Sequence, residues 1–208
     1  AIALFDKKKN SIYLARDRLG EKPLYYGVQN GIFMFGSELK ALKAHSEFLG
    51  DIDRNSVALQ LKYSYIPTPR SIYKEIKKLT PGTILKVDIE NRYLNIDAIR
   101  KPKSYWSLEE VASRSKSNIY TGSEIEAVDE LGRLLSHSVG EQMEADVSLG
   151  AFLSGGIDSS LIVSIMQSLS SKPVETFSIG FNEKGYDEAI YAKQIASHLG
   201  TKHMELYV

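Results

Sequence analysis

Short apolar runs separated by turn-forming residues dominate the first half of the chain. Residues 1–5, 11–16, 24–27 and 32–36 read as four strands, each bounded by Gly, Asn, Asp or Lys clusters. Their starts recur about every ten residues, a spacing that predicts an antiparallel meander. Ser37 is placed to cap a helical turn or two over 38–43. Asn55 is placed to cap a second helix over 56–63, which Ile66-Pro67-Thr68-Pro69 ends. Pro81-Gly82 supplies a turn before a strand pair at 83–89 and 92–96, joined around Glu90-Asn91.

From Asp97 the pattern becomes polar and irregular. Trp106, the single tryptophan, stands between the polar segments 100–104 and 113–118 and reads as an apolar anchor that pins a linker to a domain surface. The boundary falls at 113–122, leaving one domain at 1–112 and another at 123–208. Helical periodicity then takes over. Behind Ser123 as N-cap, Ile125, Val128, Leu131, Leu134, Leu135 and Val139 share one face, and core packing accounts for a helix over 124–143. Strand 147–153, helix 159–169, strand 174–179, helix 187–199 with Gly200 as C-cap, and a strand from His203 follow. The order β-α-β-α-β predicts a parallel sheet flanked by helices, with ligands outside the carboxyl ends of its strands. Residues 153–160 and 179–182 both fall at such ends.

The stretch Leu153-Ser154-Gly155-Gly156-Ile157-Asp158-Ser159-Ser160 therefore carries the chemistry. It joins a strand to a helix through residues that leave backbone N–H groups uncovered, and the helix behind it presents its positive end. That suits a phosphate or pyrophosphate. No Lys follows the glycines at Walker spacing, and the pattern is not G-x-G-x-x-G. A bare Gly-Gly is more often just a turn, whereas Ser-Gly-Gly-x-Asp-Ser in this setting favours anion binding.

Composition narrows the class. The chain has 208 residues, with 26 basic and 26 acidic side chains, so nothing points to a nucleic-acid or acidic partner. No apolar run approaches a membrane span and no signal peptide opens the chain, so a cytoplasmic protein without a membrane partner is expected. Cysteine is absent, which rules out disulfides, thiolate metal sites and a cysteine nucleophile within these residues. Ala1 and Val208 both lie in apolar runs, and the expectation is an internal fragment. His45, His137, His198 and His203 show no metal-ligand spacing and read as solvated or ordinarily satisfied; Lys7-Lys8-Lys9 reads as a solvated turn tip.

Two blocks carry a resemblance. Arg16-Asp17-Arg18-Leu19-Gly20-Glu21-Lys22-Pro23-Leu24-Tyr25-Tyr26, then Phe35-Gly36-Ser37-Glu38-Leu39-Lys40-Ala41-Leu42 and Leu79-Thr80-Pro81-Gly82, resemble the glutaminase domain of class II amidotransferases. Met143-Glu144-Ala145-Asp146-Val147 through Ser160, Phe177-Ser178-Ile179-Gly180-Phe181, and Asp187-Glu188 to Gly200 resemble the PP-loop ATP pyrophosphatase domain of the glutamine-hydrolysing asparagine synthetases. The resemblance implies a fold of α/β and α+β parts: a partial Ntn-type αββα glutaminase domain, then the start of a parallel-sheet ATP pyrophosphatase domain. It implies ATP and Mg²⁺ as cofactors, and aspartate, glutamine and ATP as small-molecule substrates, and it leaves a homodimer open. Chemically it implies adenylation of the aspartate β-carboxylate with release of pyrophosphate, then displacement of AMP by ammonia from glutamine. By the same resemblance Ser154, Gly155, Gly156, Asp158 and Ser159 face the ATP phosphates, Leu153 and Ile179 contact the adenine, and Asp158 holds the metal.

The family's glutaminases use an N-terminal Cys as nucleophile. None is present here, so no glutaminase catalytic residue is assigned, and glutamine, ATP and aspartate incubated with these 208 residues alone are expected to give no asparagine by amino-acid analysis. Two alternatives stay open: a related amidotransferase or β-lactam-forming synthetase acting on another carboxylate, and a non-catalytic nucleotide-binding protein or scaffold.

Overall fold

In the computed structural model, which describes residues 1–89, 99, 101–183 and 187–208, the early strands divide between two sheets instead of forming one meander. Strands β1 (Ile2–Asp6) and β2 (Ser11–Ala15) form a hairpin, and so do β3 (Tyr25–Gln29) and β4 (Ile32–Gly36). β2 does not continue into β3. It pairs with β6 (Thr83–Asp88), which pairs with β7 (Lys103–Ser104), while β3 takes β5 (Ile76–Lys78) on its other side. All of these pairings are antiparallel. Packing explains the split. Leu14, Leu85 and Val87 of one sheet meet Leu24 and Tyr26 in one buried cluster with Leu79, so each sheet covers the other's apolar face. The second strand expected at 92–96 lies outside the described residues.

Arg16 makes the corner between the sheets. Only 8 % exposed, it donates from Nη1 to the Leu79 carbonyl (2.7 Å), from Nη2 to the Gly20 carbonyl (2.7 Å) and from Nε to the Lys22 carbonyl (3.1 Å). One guanidinium thus ties the loop after β2 to the segment between β5 and β6. Asp17 closes the same loop by accepting from the Glu21 and Lys22 N–H groups.

Two helix caps shift from their expected positions, one by a single residue and the other by two. Helix α1 (Leu39–Lys43) starts behind Glu38, not Ser37, and Leu42 packs with Met34 and Ile76 on the far face of the smaller sheet. Helix α2 (Arg54–Tyr63) is capped by Asp53, whose carboxylate accepts from the Asn55 N–H (3.0 Å) and the Ser56 hydroxyl (2.8 Å), so Asn55 lies inside the helix. It ends at Ser64 in the left-handed region, ahead of the prolines. The polar segment taken as irregular contains β7 and helix α3 (Leu108–Ser115), capped by Ser107 and running into the region assigned as boundary. Trp106 sits on the Pro81–Gly82 turn and donates its N–H to the Gly82 carbonyl (3.2 Å). Gly82 has φ +66, and a Cβ there would lie 2.3 Å from the Trp106 carbonyl oxygen, so only glycine fits.

By contact the chain divides into two compact units, Ala1–Ile119 and Tyr120–Val208. The second opens with α4 (Glu124–Gln142), started by a full capping box between Ser123 and Glu126. Its apolar face is only partly covered: Val139 packs with Met143, Met166 and Val174, but Ile125 and Val128 are 76 % and 63 % exposed. Core packing within this unit therefore accounts for the helix only at its C-terminal end. Strand β8 is shorter than expected, Gly150–Phe152, with Val147 exposed outside it. Helix α5 (Ile157–Leu169), β9 (Glu175–Gly180), α6 (Ala189–Leu199) and β10 (Lys202–Tyr207) follow, with Gly200 as the left-handed cap of α6. The sheet order is β10-β9-β8, wholly parallel as expected. Leu153, Val163, Ala192 and Ala196 bury one face, and the small alanines let α6 lie close to the sheet. No helix among the described residues is long and apolar enough to cross a membrane.

Candidate functional site

The glycine loop leaves β8 at its carboxyl end. Leu153, 1 % exposed, donates its N–H to the Phe177 carbonyl (2.9 Å), and the chain then turns away from the sheet through Ser154 and Gly155. Gly155 has φ +80, a conformation that L side chains rarely adopt. A Cβ there would also lie 2.8 Å from Tyr191 Cβ and 3.0 Å from the Ala192 nitrogen, so the loop rests directly on the first turn of α6. Gly156 is the N-cap of α5 and brings no side chain to its own helix end. The first N–H groups of α5 have no partner within the helix, and its positive end faces outward from the loop.

Two serines bridge the loop. Their hydroxyls, Ser154 Oγ and Ser159 Oγ, stand 3.0 Å apart; Ser159 Oγ accepts from the Ser154 N–H (3.3 Å), and Ser154 Oγ accepts from the Gly156 N–H (3.3 Å). The Gly156 carbonyl accepts from the Ser160 hydroxyl (2.6 Å) and the Ser159 hydroxyl (3.2 Å), bonds within the first turn of α5. The loop holds its shape through bonds that an incoming anion can take over donor by donor, since Ser154 is exposed and Ser159 is only half-buried.

Ser154, Gly155 and Gly156 form one wall of a cavity of about 660 Å³. Phe181, Asn182 and Glu183 after β9 and Asp187, Glu188, Ile190 and Tyr191 around the start of α6 complete its lining. These last seven residues were not assigned as site residues from sequence. The acidic pair Asp187-Glu188 ahead of a helix was the available signal, but it reads equally well as a helix-start preference. The other expected site residues divide. Ser159 joins the loop through its bonds to Ser154, and Asp158 lies exposed in the first turn of α5. Leu153 is buried behind the loop. Ile179, 50 % exposed, lines a different hollow of about 400 Å³ with Phe152, Phe177, Met204 and Leu206, on the face of the sheet away from α6.

Among the described residues no group of three or more His, Asp or Glu side chains is close enough to hold a metal ion unaided. Mg²⁺ asks less of a protein: it takes one or two carboxylates and fills the remaining positions with phosphate oxygens and water. Asp158, next to the loop and in no ion pair among the described residues, fits that requirement. Histidine does not enter the site. His203 departs from expectation, because Nδ1 bonds the Thr176 hydroxyl (2.9 Å) while Nε2 is buried without a hydrogen-bond partner.

Comparison with known proteins agrees with this division. The family model described as glutamine amidotransferase domain matches residues 1–106, and that described as asparagine synthase matches residues 130–208. Among curated relatives, a putative asparagine synthetase [glutamine-hydrolyzing] 2 of Methanocaldococcus jannaschii is 39 % identical over 210 residues, covering 100 % of this chain and 38 % of the relative. Asparagine synthetases [glutamine-hydrolyzing] 1 and 3 of Bacillus subtilis are 30 % and 32 % identical over 98 % of this chain, which spans 30 % and 33 % of their lengths. The chain thus spans only 30–38 % of the length of these relatives.

Proposed function

We propose, from the premise that this chain belongs to the glutamine amidotransferase domain family, that it is part of a glutamine-hydrolysing asparagine synthetase, a ligase of asparagine biosynthesis. The observation that carries the reading is the Ser-Gly-Gly-x-Asp-Ser loop opening into a cavity at the carboxyl end of a parallel sheet, in a unit that follows an amidotransferase unit. The domain limits 1–112 and 123–208 belong to this reading. So does the Ntn-type αββα class of the first unit, supported by two stacked sheets with α1 on the outer face of one.

The family reading implies a mechanism in which the loop's donors have a defined part. The aspartate β-carboxylate attacks the α-phosphorus of ATP, and the bond to the departing pyrophosphate breaks. Ammonia released from glutamine then attacks the acyl carbon of the β-aspartyl-adenylate, and AMP leaves. The loop's part is to bind the pyrophosphate through the N–H groups of Ser154, Gly155 and Gly156 and the hydroxyls of Ser154 and Ser159, stabilising charge as it develops on the leaving group. Leu153 and Ile179 are assigned to the adenine side. Asp158 is assigned to hold Mg²⁺, which when bound neutralises phosphate charge. The reading extends to a cytoplasmic protein of small-molecule substrates and leaves a homodimer open.

Asp158→Asn in the full-length protein is expected to reduce aspartate-dependent pyrophosphate release by at least about 100-fold, through loss of one charged metal ligand. Release at the wild-type rate would remove Asp158 from that role. Wild-type protein that binds ATP yet releases no pyrophosphate with any amino acid would favour a non-catalytic nucleotide-binding protein.

A further inference from the structure

Where β8 ends, its pairing with β9 changes character. The main-chain ladder closes with the Leu153 N–H donated to the Phe177 carbonyl, and the Leu153 carbonyl is then taken by a side chain, the hydroxyl of Ser178. Both residues are buried. The Leu153 peptide is therefore gripped by β9 at both of its polar groups, once by backbone and once by side chain, one residue before Ser154. A hydroxyl in place of the next rung satisfies the last carbonyl of the strand while leaving the chain free to peel off the sheet into the loop. An apolar residue at position 178 would leave that buried carbonyl unpaired.

We propose that Ser178 is a positioning residue for the phosphate-binding loop, setting the point and direction at which residues 154–156 leave the sheet; the inference rests on the nucleotide reading above. It touches no phosphate. It acts through Leu153 on the Ser154 and Gly156 donors, whose mutual bonds carry any shift across the loop. Its strand neighbour on the same face, Thr176, provides the contrast: also buried, it bonds the Thr201 hydroxyl (3.0 Å) and His203 Nδ1 (2.9 Å), groups that do not belong to the loop.

The test compares Ser178→Ala, Ser178→Thr and Thr176→Val in the full-length protein, measuring ATP affinity by calorimetry with Mg²⁺ present, aspartate-dependent pyrophosphate release, and the urea midpoint. Ser178→Ala is expected to weaken ATP binding roughly tenfold and to lower kcat for pyrophosphate release as well, while Ser178→Thr, which keeps the donor, stays within about twofold of wild type. Thr176→Val is expected to lower the urea midpoint and leave ATP affinity unchanged. Should Ser178→Ala not fold, Ser178→Cys, similar in size but a weak donor, carries the same comparison. Equal losses of stability in Ser178→Ala and Thr176→Val, with ATP affinity intact in both, would overturn the positioning role alone. Wild-type protein that binds no ATP would remove the nucleotide reading and this inference with it.

Discussion

Arg16→Ala is expected to destabilise the first unit by about 3 kcal/mol, the range reached when a buried hydrogen-bond network loses its central donor. Three carbonyls lose their partner at once. Those of Gly20 and Lys22 are partly accessible and recover water, but the bond to Leu79 is buried, and a buried unpaired carbonyl costs about 1–3 kcal/mol. The change should move the urea midpoint with little effect on the slope. Trp106, the only tryptophan and part of this unit, reports the transition by fluorescence in the 208-residue chain. Arg16→Lys is expected to recover less than half of the loss, because a compact ammonium cannot reach three diverging carbonyls as a planar fork does. The guanidinium is also felt at Lys78, whose ammonium pKa lies below the usual lysine value, first through burial and then through the Arg16 charge. Arg16→Ala with an unchanged midpoint would show that the corner is held by its backbone bonds alone.

Arg16 also marks how far the sequence could be read. The block around it suffices to identify the family, and the matched regions agree, but its mechanical role was not visible: singly, Arg16 reads as a turn charge. What makes it a staple is the approach of the Leu79 carbonyl, a contact between residues far apart in the chain. The meander failed for the same reason. Strand spacing reports how often the chain turns, not which sheet a strand joins, and that choice is made by Leu14 and Leu85 meeting Leu24 and Tyr26 across two sheets. Short-range chemistry was more legible. Ser123 caps α4 as expected because its partner Glu126 lies within the same turn, and the parallel β-α-β-α-β order follows from alternating periodicity. Asn55 lost its cap position to Asp53 because a carboxylate immediately before Arg54 accepts from the Asn55 N–H and the Ser56 hydroxyl, which starts the helix earlier. At the candidate site, Ser154, Gly155, Gly156 and Ser159 could be named because the motif is contiguous. Asn182 falls in 179–182, which the strand order already places at a ligand-binding end, but Tyr191 and Glu188 could not be named, since a cavity is assembled by packing α6 beside the loop and residue type alone does not place them there.

Gly155→Ala is expected to be the most damaging single methyl in the second unit. Holding a non-glycine residue at φ +80 costs about 1–2 kcal/mol before any contact is considered. The added carbon would then sit 2.8 Å from Tyr191 Cβ and 3.0 Å from the Ala192 nitrogen, atoms at the backbone of α6 that cannot swing aside as a side-chain end can. Relief comes only if the loop lifts or α6 retreats. Lifting the loop carries the Ser154 and Gly156 donors away from the anion; retreat of α6 opens the alanine packing of Ala192 and Ala196 against Leu153, the residue that launches the loop. Either route displaces the proposed phosphate cradle, and a displacement of about 1 Å at a reacting group can lower a rate about 100-fold. Aspartate-dependent pyrophosphate release by the full-length protein should fall at least that far. Gly132→Ala separates the site from the substitution type. Gly132 lies within α4, where an added Cβ meets nothing within 4 Å, and removing its backbone freedom should stabilise the helix by about 0.5–1 kcal/mol with pyrophosphate release unchanged. Gly155→Ala that kept wild-type release would mean that the loop is a turn between strand and helix and that the phosphates bind elsewhere.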